Sequence, residues 1–452
     1  MKRKYTQTLN SWFKRSDRKP LILRGARQVG KSTLVRIFAE EFKLDLLEIN
    51  LEKNKFKSLE KDNFKIDDWI VEIELICQKK ITSRSLLFLD EIQAQPIAIS
   101  RLRYFYEERS SIAVVTAGSL LEIALHQNEI SFPVGRVSYL WVSPMSFTEY
   151  LDAVNLSRYK EMILDNKIPE FAHQHIQDEV KKYFYIGGMP KAVQTYIDSK
   201  SFLAVREIQN EILQSYYNDF PKYEKRAHLD KLNSIFQNIP FHLGQKVIYQ
   251  KLDPLLKSAD IKKCMVLFQR ANLITPCYHT SASDVPLRAN IDSTVLKYYF
   301  LDIGLVNAVH NFSWSEFDSE FETSFVTKGF LAEQFIAQHL SYYEINMSGP
   351  ETLFWLKDKT IGKAEIDFLI SEASKIVPIE VKAGRGGRLK SFEVFANEKK
   401  NIKPKINCGI KFSKEYFYNE KLKIEGNEFF EVLNWPYYAI EGYIKKIKDD
   451  LQ

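Results

Sequence analysis

The segment Gly25-Ala26-Arg27-Gln28-Val29-Gly30-Lys31-Ser32, followed by Thr33, constrains this chain more than any other stretch. The apolar run Leu21–Leu23 leads into Gly25, and Leu34, Val35, Ile37 and Phe38 follow Ser32 at helical spacing. The motif therefore lies at a strand-to-helix turn, the setting its chemistry requires. Glycines let the backbone wrap an anion, amide N–H groups and the helix N-terminus supply positive potential, and Lys31 adds a point charge. Such a phosphate-cradling loop implies ATP as ligand, with Ser32 holding magnesium and residues 25–33 forming the binding loop.

Alternating apolar runs and helical patterns through the first third indicate a parallel sheet with crossover helices. Its expected strands are Leu21–Leu23, Leu46–Ile49, Leu86–Leu89, Ile112–Thr116 and Val137–Val142. The third ends in Leu89-Asp90-Glu91, which would place Asp90 near the metal and Glu91 where it can deprotonate an attacking water. The competing reading makes the two carboxylates the cap and first turn of the next helix. Thr116 and Ser119 end the fourth strand, where a polar side chain could contact a γ-phosphate; Ser119 could equally cap the helix starting at Leu120. Arg136 is a candidate charge-stabilising finger, in cis or across a homo-oligomer boundary, or else a surface ion-pair partner.

Further on, the pattern turns helical from about Ser143, with Gly187-Gly188-Met189-Pro190 and Pro221 as breaks. This gives the ATPase core residues 1–142 and a helical lid residues 143–225. Residues 226–327 hold three helical patterns followed by strands near Leu273–Tyr278 and Tyr298–Leu301, the order of a winged helix. Its helix Ser258–Arg270, expected to be capped by Ser258, offers Lys262, Lys263 and Arg270 to a nucleic acid, with Phe268 inward. Many winged helices bind only protein, so both partners stay open.

Residues 328–452 carry a second constellation: Glu333 near the edge of an apolar helical stripe of Phe330, Ile336 and Leu340, Asp367 in a strand Glu365–Ile370, and Glu380-Val381-Lys382 in a strand Ile376–Lys382. This Glu, Asp, Glu-x-Lys grouping is that of restriction-type nucleases, in which carboxylates (here Glu333, Asp367 and Glu380) hold magnesium and the lysine serves catalysis. Strand alternation puts Glu380 and Lys382 on one face. Asp367 joins them only if Ile370 pairs with Val377. An amphipathic hairpin with solvated charges is the competing reading, and Glu365 could substitute for Asp367 or interfere. Arg385, Arg388 and Lys390 follow in a glycine-rich stretch that could meet phosphates or simply stay solvated.

Leu23-Arg-Gly-Ala-Arg27-Gln28-Val-Gly-Lys-Ser, Leu89-Asp-Glu-Ile-Gln93, Thr116-Ala-Gly-Ser119 and Pro144-Met-Ser-Phe147-Thr-Glu149-Tyr150 together resemble predicted AAA+ superfamily ATPases of bacteria and archaea. The resemblance continues through Tyr298-Tyr-Phe-Leu-Asp302-Ile-Gly304-Leu305 to Glu380-Val-Lys382. It implies an α/β protein: an AAA-type P-loop sheet with helical lid, then a winged helix, then a restriction-endonuclease-like α/β domain. In that family the AAA module precedes a domain of uncharacterised function.

Composition narrows the rest. With 64 basic and 58 acidic residues, the net charge of +6 permits nucleic-acid contact without requiring it. Cys77, Cys264, Cys277 and Cys408 lack metal-ligand spacing and suit a reducing cytoplasm. Neither a signal-peptide stretch nor a membrane-length apolar run is present, so no membrane partner is expected. The expected partners are ATP and nucleic acid, DNA before RNA. The expected function is ATP-driven DNA binding with magnesium-dependent cleavage; the alternatives are an ATP-controlled switch with a silent nuclease-like end and a signalling ATPase.

Overall fold

The computed structural model describes all residues except 119–132, 223–228, 321–328, 343–344, 347–348, 358–363, 373, 383–388, 404–405, 427 and 451–452. Ser119, Arg385 and Arg388 lie outside the described residues. The chain divides into two compact units, Met1–Met145 with Arg270–Asn272, and Ser146–Gln269 with Leu273–Gln452.

The first unit begins with α1 (Tyr5–Phe13), β1 (Leu21–Arg24), α2 (Lys31–Glu41), β2 (Asp45–Asn50) and α3 (Ile66–Cys77). It continues with β3 (Ser85–Asp90), α4 (Ile97–Glu108), β4 (Ala113–Ala117) and β5 (Ser138–Trp141). All five expected strands form, in the order β2-β3-β4-β1-β5. Every pairing is parallel. Leu86 to Leu89 are fully buried, as a strand covered on both faces must be. On one face Ile22, Leu47, Leu87 and Leu89 pack with Trp69, Ile73, Leu102 and Phe105 of α3 and α4. With β4 between β1 and β3, the loops leaving β1 and β3 lie at the carboxyl ends of the strands, where open parallel sheets bind ligands.

The second unit opens with α5 (Phe147–Ala153), α6 (Ser157–Leu164), α7 (His173–Ile186), α8 (Pro190–Ser199) and α9 (Phe202–Asp219). Ser146 and Glu149 form a reciprocal capping box at the start of α5. Then come α10 (Leu229–Asn238), the single turn α11 (Tyr249–Leu252), α12 (Ser258–Arg270), β6 (Ile274–Thr280) and β7 (Ile291–Phe300). The three helices precede a hairpin, as expected, and α12 buries Ile261, Cys264, Met265 and Phe268 while exposing Lys262 and Lys263. Ser258 is not the cap: it is the first helical residue, the Lys257 carbonyl takes the Ile261 N–H, and the Ser258 hydroxyl accepts from Gln250 instead.

The hairpin is not a separate wing. β6 pairs in parallel with β10 (Thr352–Leu356) and so joins an eight-stranded sheet, β14-β15-β13-β12-β11-β10-β6-β7. Its other members are β11 (Glu365–Glu372), β12 (Lys375–Lys382), β13 (Cys408–Ser413), β14 (Tyr418–Lys423) and β15 (Phe429–Pro436). A two-stranded ladder, β8 (Ile345–Asn346) with β9 (Gly349–Pro350), stands apart. Helices α13 (Ile303–Val309), α14 (Trp314–Glu320), α15 (Phe330–Ser341), α16 (Lys390–Glu398) and α17 (Ile440–Asp450) complete the unit. Phe392 and Phe395 of α16 cover one face with Trp355, Ile366 and Phe430.

Helix α15 departs from the expected amphipathic stripe. Gln334, Gln338 and His339 are as buried as Ile336 and Leu340, because each polar side chain is engaged. Gln334 bonds both the N–H and the carbonyl of Phe300, Gln338 accepts from the Ile303 N–H, and His339 Nε2 accepts from the Phe147 N–H. This fixes α15 against β7 and sets the position of Glu333.

Candidate functional sites: a phosphate loop and a carboxylate–lysine centre

The loop after β1 is built for a close approach. Gly25 sits at φ 130°, and a Cβ there would run into the Val142 carbonyl oxygen. Gly30, at φ 90°, turns the chain into α2, whose first residue is Lys31. Gln28 adopts φ 64°, a conformation that costs a side-chain-bearing residue about 1 kcal/mol or more and recurs at ligand clamps. Ala26 and Val29 anchor the loop in the core, while Gln28 and Thr33 are exposed and Arg27 is half-buried.

Lys31 is buried, and its ammonium donates to the Gly25 and Ala26 carbonyls at 2.9 and 2.7 Å. Burial pulls its pKa down to about 8, against the opposing pull of Glu91 and Asp90. Ser32 Oγ donates to Asp90 Oδ2 at 2.8 Å, so the two oxygens that would hold a metal lie side by side. Burial raises the Asp90 carboxyl, partly offset by the Ser32 bond. A hydroxyl, a carboxylate and a glycine cradle that a Cβ would fill form a donor set that fits a magnesium-bound phosphate chain.

Glu91 lies beside Asp90 at φ 51° and accepts a hydrogen bond from Gln93 Nε2. Neither carboxylate caps α4: Asp90 accepts from the Glu91 N–H, Glu91 precedes a 3-10 turn with no side-chain cap bond, and α4 starts only at Ile97. Thr116 is fully buried at the end of β4, between β1 and β3, and among the described residues its hydroxyl has no hydrogen-bond partner. Arg136 lies at the surface, its guanidinium 3.0 Å from Glu107.

In the second unit, β11 and β12 pair Ile370 with Val377, the register that aligns Asp367 with Glu380. The ladder continues toward the turn through Ser371 with Ile376 and Glu372 with Lys375. Asp367 Oδ2 accepts the Val381 N–H at 2.7 Å. Lys382 pairs with Glu380 Oε2 and Ser391 also hydrogen-bonds this carboxyl, while among the described residues Glu380 Oε1 is buried with no hydrogen-bond partner. Sequence reasoning missed Lys297 and Tyr299, neighbours on one face of β7. Lys297, 1% exposed, lies 3.2 Å from Glu333 Oε1 and also pairs with Glu365; the Tyr299 hydroxyl bonds Glu333 as well. Gly244 leaves room for this carboxylate, since a Cβ there would stand 2.9 Å from Glu333 Oε2. The available signal was a single lysine inside the apolar run 295–300.

These charges perturb one another strongly. Burial, aided by Asp367, pushes Glu380 up to about 8 despite Lys382, and burial raises Glu333 to about 7 against the pull of Lys297. Burial alone would lower the Lys382 and Lys297 ammoniums, yet the surrounding carboxylates hold both above the ordinary lysine range. Among the described residues, no group of three or more His, Cys, Asp or Glu side chains has the geometry to hold a metal.

Because the folded-state pKa of Glu380 is raised, its stabilising protonated form is fully present below the unfolded value and is lost as pH rises through about 8. Glu380→Gln is therefore expected to match wild type in melting temperature at about pH 4, below the unfolded carboxyl value, and to exceed it at about pH 8.5. Equal melting temperatures at both pH values would refute this.

Residues 17–151 match the AAA domain family, residues 177–316 the family described as Domain of unknown function (DUF8612), and residues 328–438 Domain of unknown function (DUF4143). No curated protein matches. Among solved structures, the ORC1 protein of Aeropyrum pernix in complex with DNA aligns at 9% identity over 68% of this chain and 90% of that one, with a TM-score of 0.25. At that score the likeness carries no argument. No described helix is long and apolar enough to cross a membrane. The chain thus carries an AAA domain, whose family implies nucleotide binding and ATPase-type activity, followed by two domains of unknown function.

Proposed function

We propose that this chain is a magnesium-dependent ATP hydrolase whose nucleotide state controls nucleic-acid binding, DNA in preference to RNA, by its second unit. The observation that carries the hydrolase reading is the 2.8 Å contact between Ser32 of the phosphate loop and Asp90, with Glu91 next in the chain. Lys31 leaves its loop carbonyls for the β/γ oxygens, Gly25 to Thr33 enclose the phosphates, and Glu91 takes the proton of the attacking water. Bound magnesium would neutralise charge on the phosphate oxygens. The Thr116 hydroxyl, and Ser119 beyond it, are the groups assigned to sense the γ-phosphate. Arg136 has to leave Glu107 before it can serve as a finger.

Nucleic-acid binding rests on the exposed Lys262 and Lys263 of α12, a helix preceding the hairpin as in a winged helix, with Lys390 exposed at the start of α16. Glu333, Asp367, Glu380 and Lys382 would form the cleavage centre. The β11–β12 register, which sets Asp367 opposite Glu380, is what supports a two-carboxylate cation site there. The second reading, a silent centre within an ATP-controlled switch, is favoured by Lys297, which already neutralises Glu333, and by Val381, which occupies an oxygen of Asp367.

One assay separates the readings: ATP binding, ATP hydrolysis and cleavage of varied DNA and RNA substrates with Mg²⁺ or Mn²⁺. Lys31→Ala is expected to weaken ATP binding about 100-fold, the loss of a charge-assisted phosphate contact. Lys382→Ala is expected to spare ATP hydrolysis and remove cleavage. No product from wild type, with ATP-dependent and salt-sensitive binding intact, would select the switch; an unaltered ATP affinity in Lys31→Ala would overturn the hydrolase reading.

A further inference from the structure

We infer that Arg3, outside the stretch that matches the AAA domain, is a positioning residue of the phosphate loop; this rests on the reading that the loop binds nucleotide. Arg3 is a cation 7% exposed, an expensive placement that needs partners. One guanidinium nitrogen donates to the Val29 carbonyl at 2.9 Å, and the other to the Ser143 carbonyl at 2.6 Å. Tyr5, also buried, binds the same point: its hydroxyl lies 2.5 Å from Ser143 Oγ and accepts the Ser143 N–H at 3.0 Å.

The consequence follows from peptide geometry. In a trans peptide the C=O and the N–H point in opposite directions. The Val29 carbonyl and the Gly30 N–H belong to one peptide unit, so holding the carbonyl outward on Arg3 aims the Gly30 N–H to the opposite side, into the cradle. Gly30, at φ 90°, has no side chain to fix that plane, and its freedom makes an external tether useful. A cationic donor on the carbonyl also polarises the peptide and strengthens the N–H as an anion donor. Ser143 is a firm anchor, because Val142 before it bonds the Arg24 carbonyl and abuts Gly25. The fork of Arg3 thus ties the far side of the loop to the strand end that supports its near side.

The test is nucleotide binding to the full chain carrying Arg3→Met, Arg3→Lys or Tyr5→Phe, measured with ATP, ADP and adenosine beside melting temperature without nucleotide. Arg3→Met is expected to weaken ATP and ADP alike by about 10-fold or more, the worth of a charge-assisted contact, and to leave adenosine unaffected. Arg3→Lys, which keeps the charge but cannot span both carbonyls, should fall between. If Arg3→Met does not fold, Arg3→Lys gives the same phosphate-selective signature. Wild-type ATP affinity in Arg3→Met, or adenosine weakened equally, would overturn the inference alone. Absence of ATP binding in the wild type would overturn the nucleotide reading beneath it, and this inference with it.

Discussion

Glu91→Gln is expected to bind ATP as the wild type does and to hydrolyse it about 10²- to 10⁴-fold more slowly, the usual contribution of a positioned general base. The substitution is nearly isosteric and keeps an acceptor for Gln93 Nε2, so the geometry around the loop should survive. Lys31 and Ser32, assigned to the phosphate and the metal, take no hydrogen bond from Glu91, and Asp90 takes only its backbone N–H, which glutamine keeps. Only proton acceptance is lost, so kcat should fall with little change in ATP affinity. Single-turnover hydrolysis beside equilibrium ATP binding measures both. Full hydrolytic activity in Glu91→Gln would remove this residue from the base role and direct attention to another carboxylate.

The first unit was legible because its chemistry is local. A phosphate loop needs a strand, a turn and a helix in immediate succession, so residues 21–38 carry both the fold and the site, and the parallel strands read as short apolar runs. The Ser32–Asp90 contact was also foreseeable, since the two motifs sit at the carboxyl ends of strands flanking β4. Arg3 was not: it acts on the loop through main-chain carbonyls 26 and 140 positions away, and no periodicity marks such a contact.

The second unit was legible in parts. The Ile370 to Val377 register followed from requiring Asp367 and Glu380 on one face, and the hairpin obeys it. Two features escaped. The expected wing is continuous with the C-terminal sheet through the β6 to β10 pairing, a non-local contact of about the kind that local patterns cannot encode. Helix α15 hides Gln334, Gln338 and His339 by giving each a backbone partner, so hydrophobic periodicity misjudged its exposed face. Lys297 was overlooked for a related reason: an ammonium enters a core only where carboxylates from other elements meet it, and those lie 36 and 68 residues further along the chain.

Asp302→Ala is expected to destabilise the second unit by about 3 to 5 kcal/mol, the cost of orphaning several buried donors at once. Asp302 is fully buried at the start of α13 and accepts from the N–H groups of Gly304 and Leu305 at 3.0 and 3.2 Å. It also takes the Gly188 N–H at 2.6 Å and Gln338 Nε2 at 3.4 Å, so one carboxyl joins the Gly187-Gly188 break, α13 and α15. Gly187, at φ 76°, has no space for a Cβ against this carboxyl, which explains the glycine at that position. These motif residues thus serve as a structural lock. Burial raises the Asp302 carboxyl to about 6, against the lowering pull of those hydrogen bonds. Its stabilising protonated form is accordingly present in full below the unfolded value of about 3.9 and is lost as pH rises through about 6. Asp302→Asn should flatten that decline between about pH 4 and 6, while Asp302→Ala should lower stability at every pH. Urea unfolding of the three proteins at pH 4.5 and 7 measures both effects, and a wild-type midpoint for Asp302→Ala would show that the lock is supplied elsewhere.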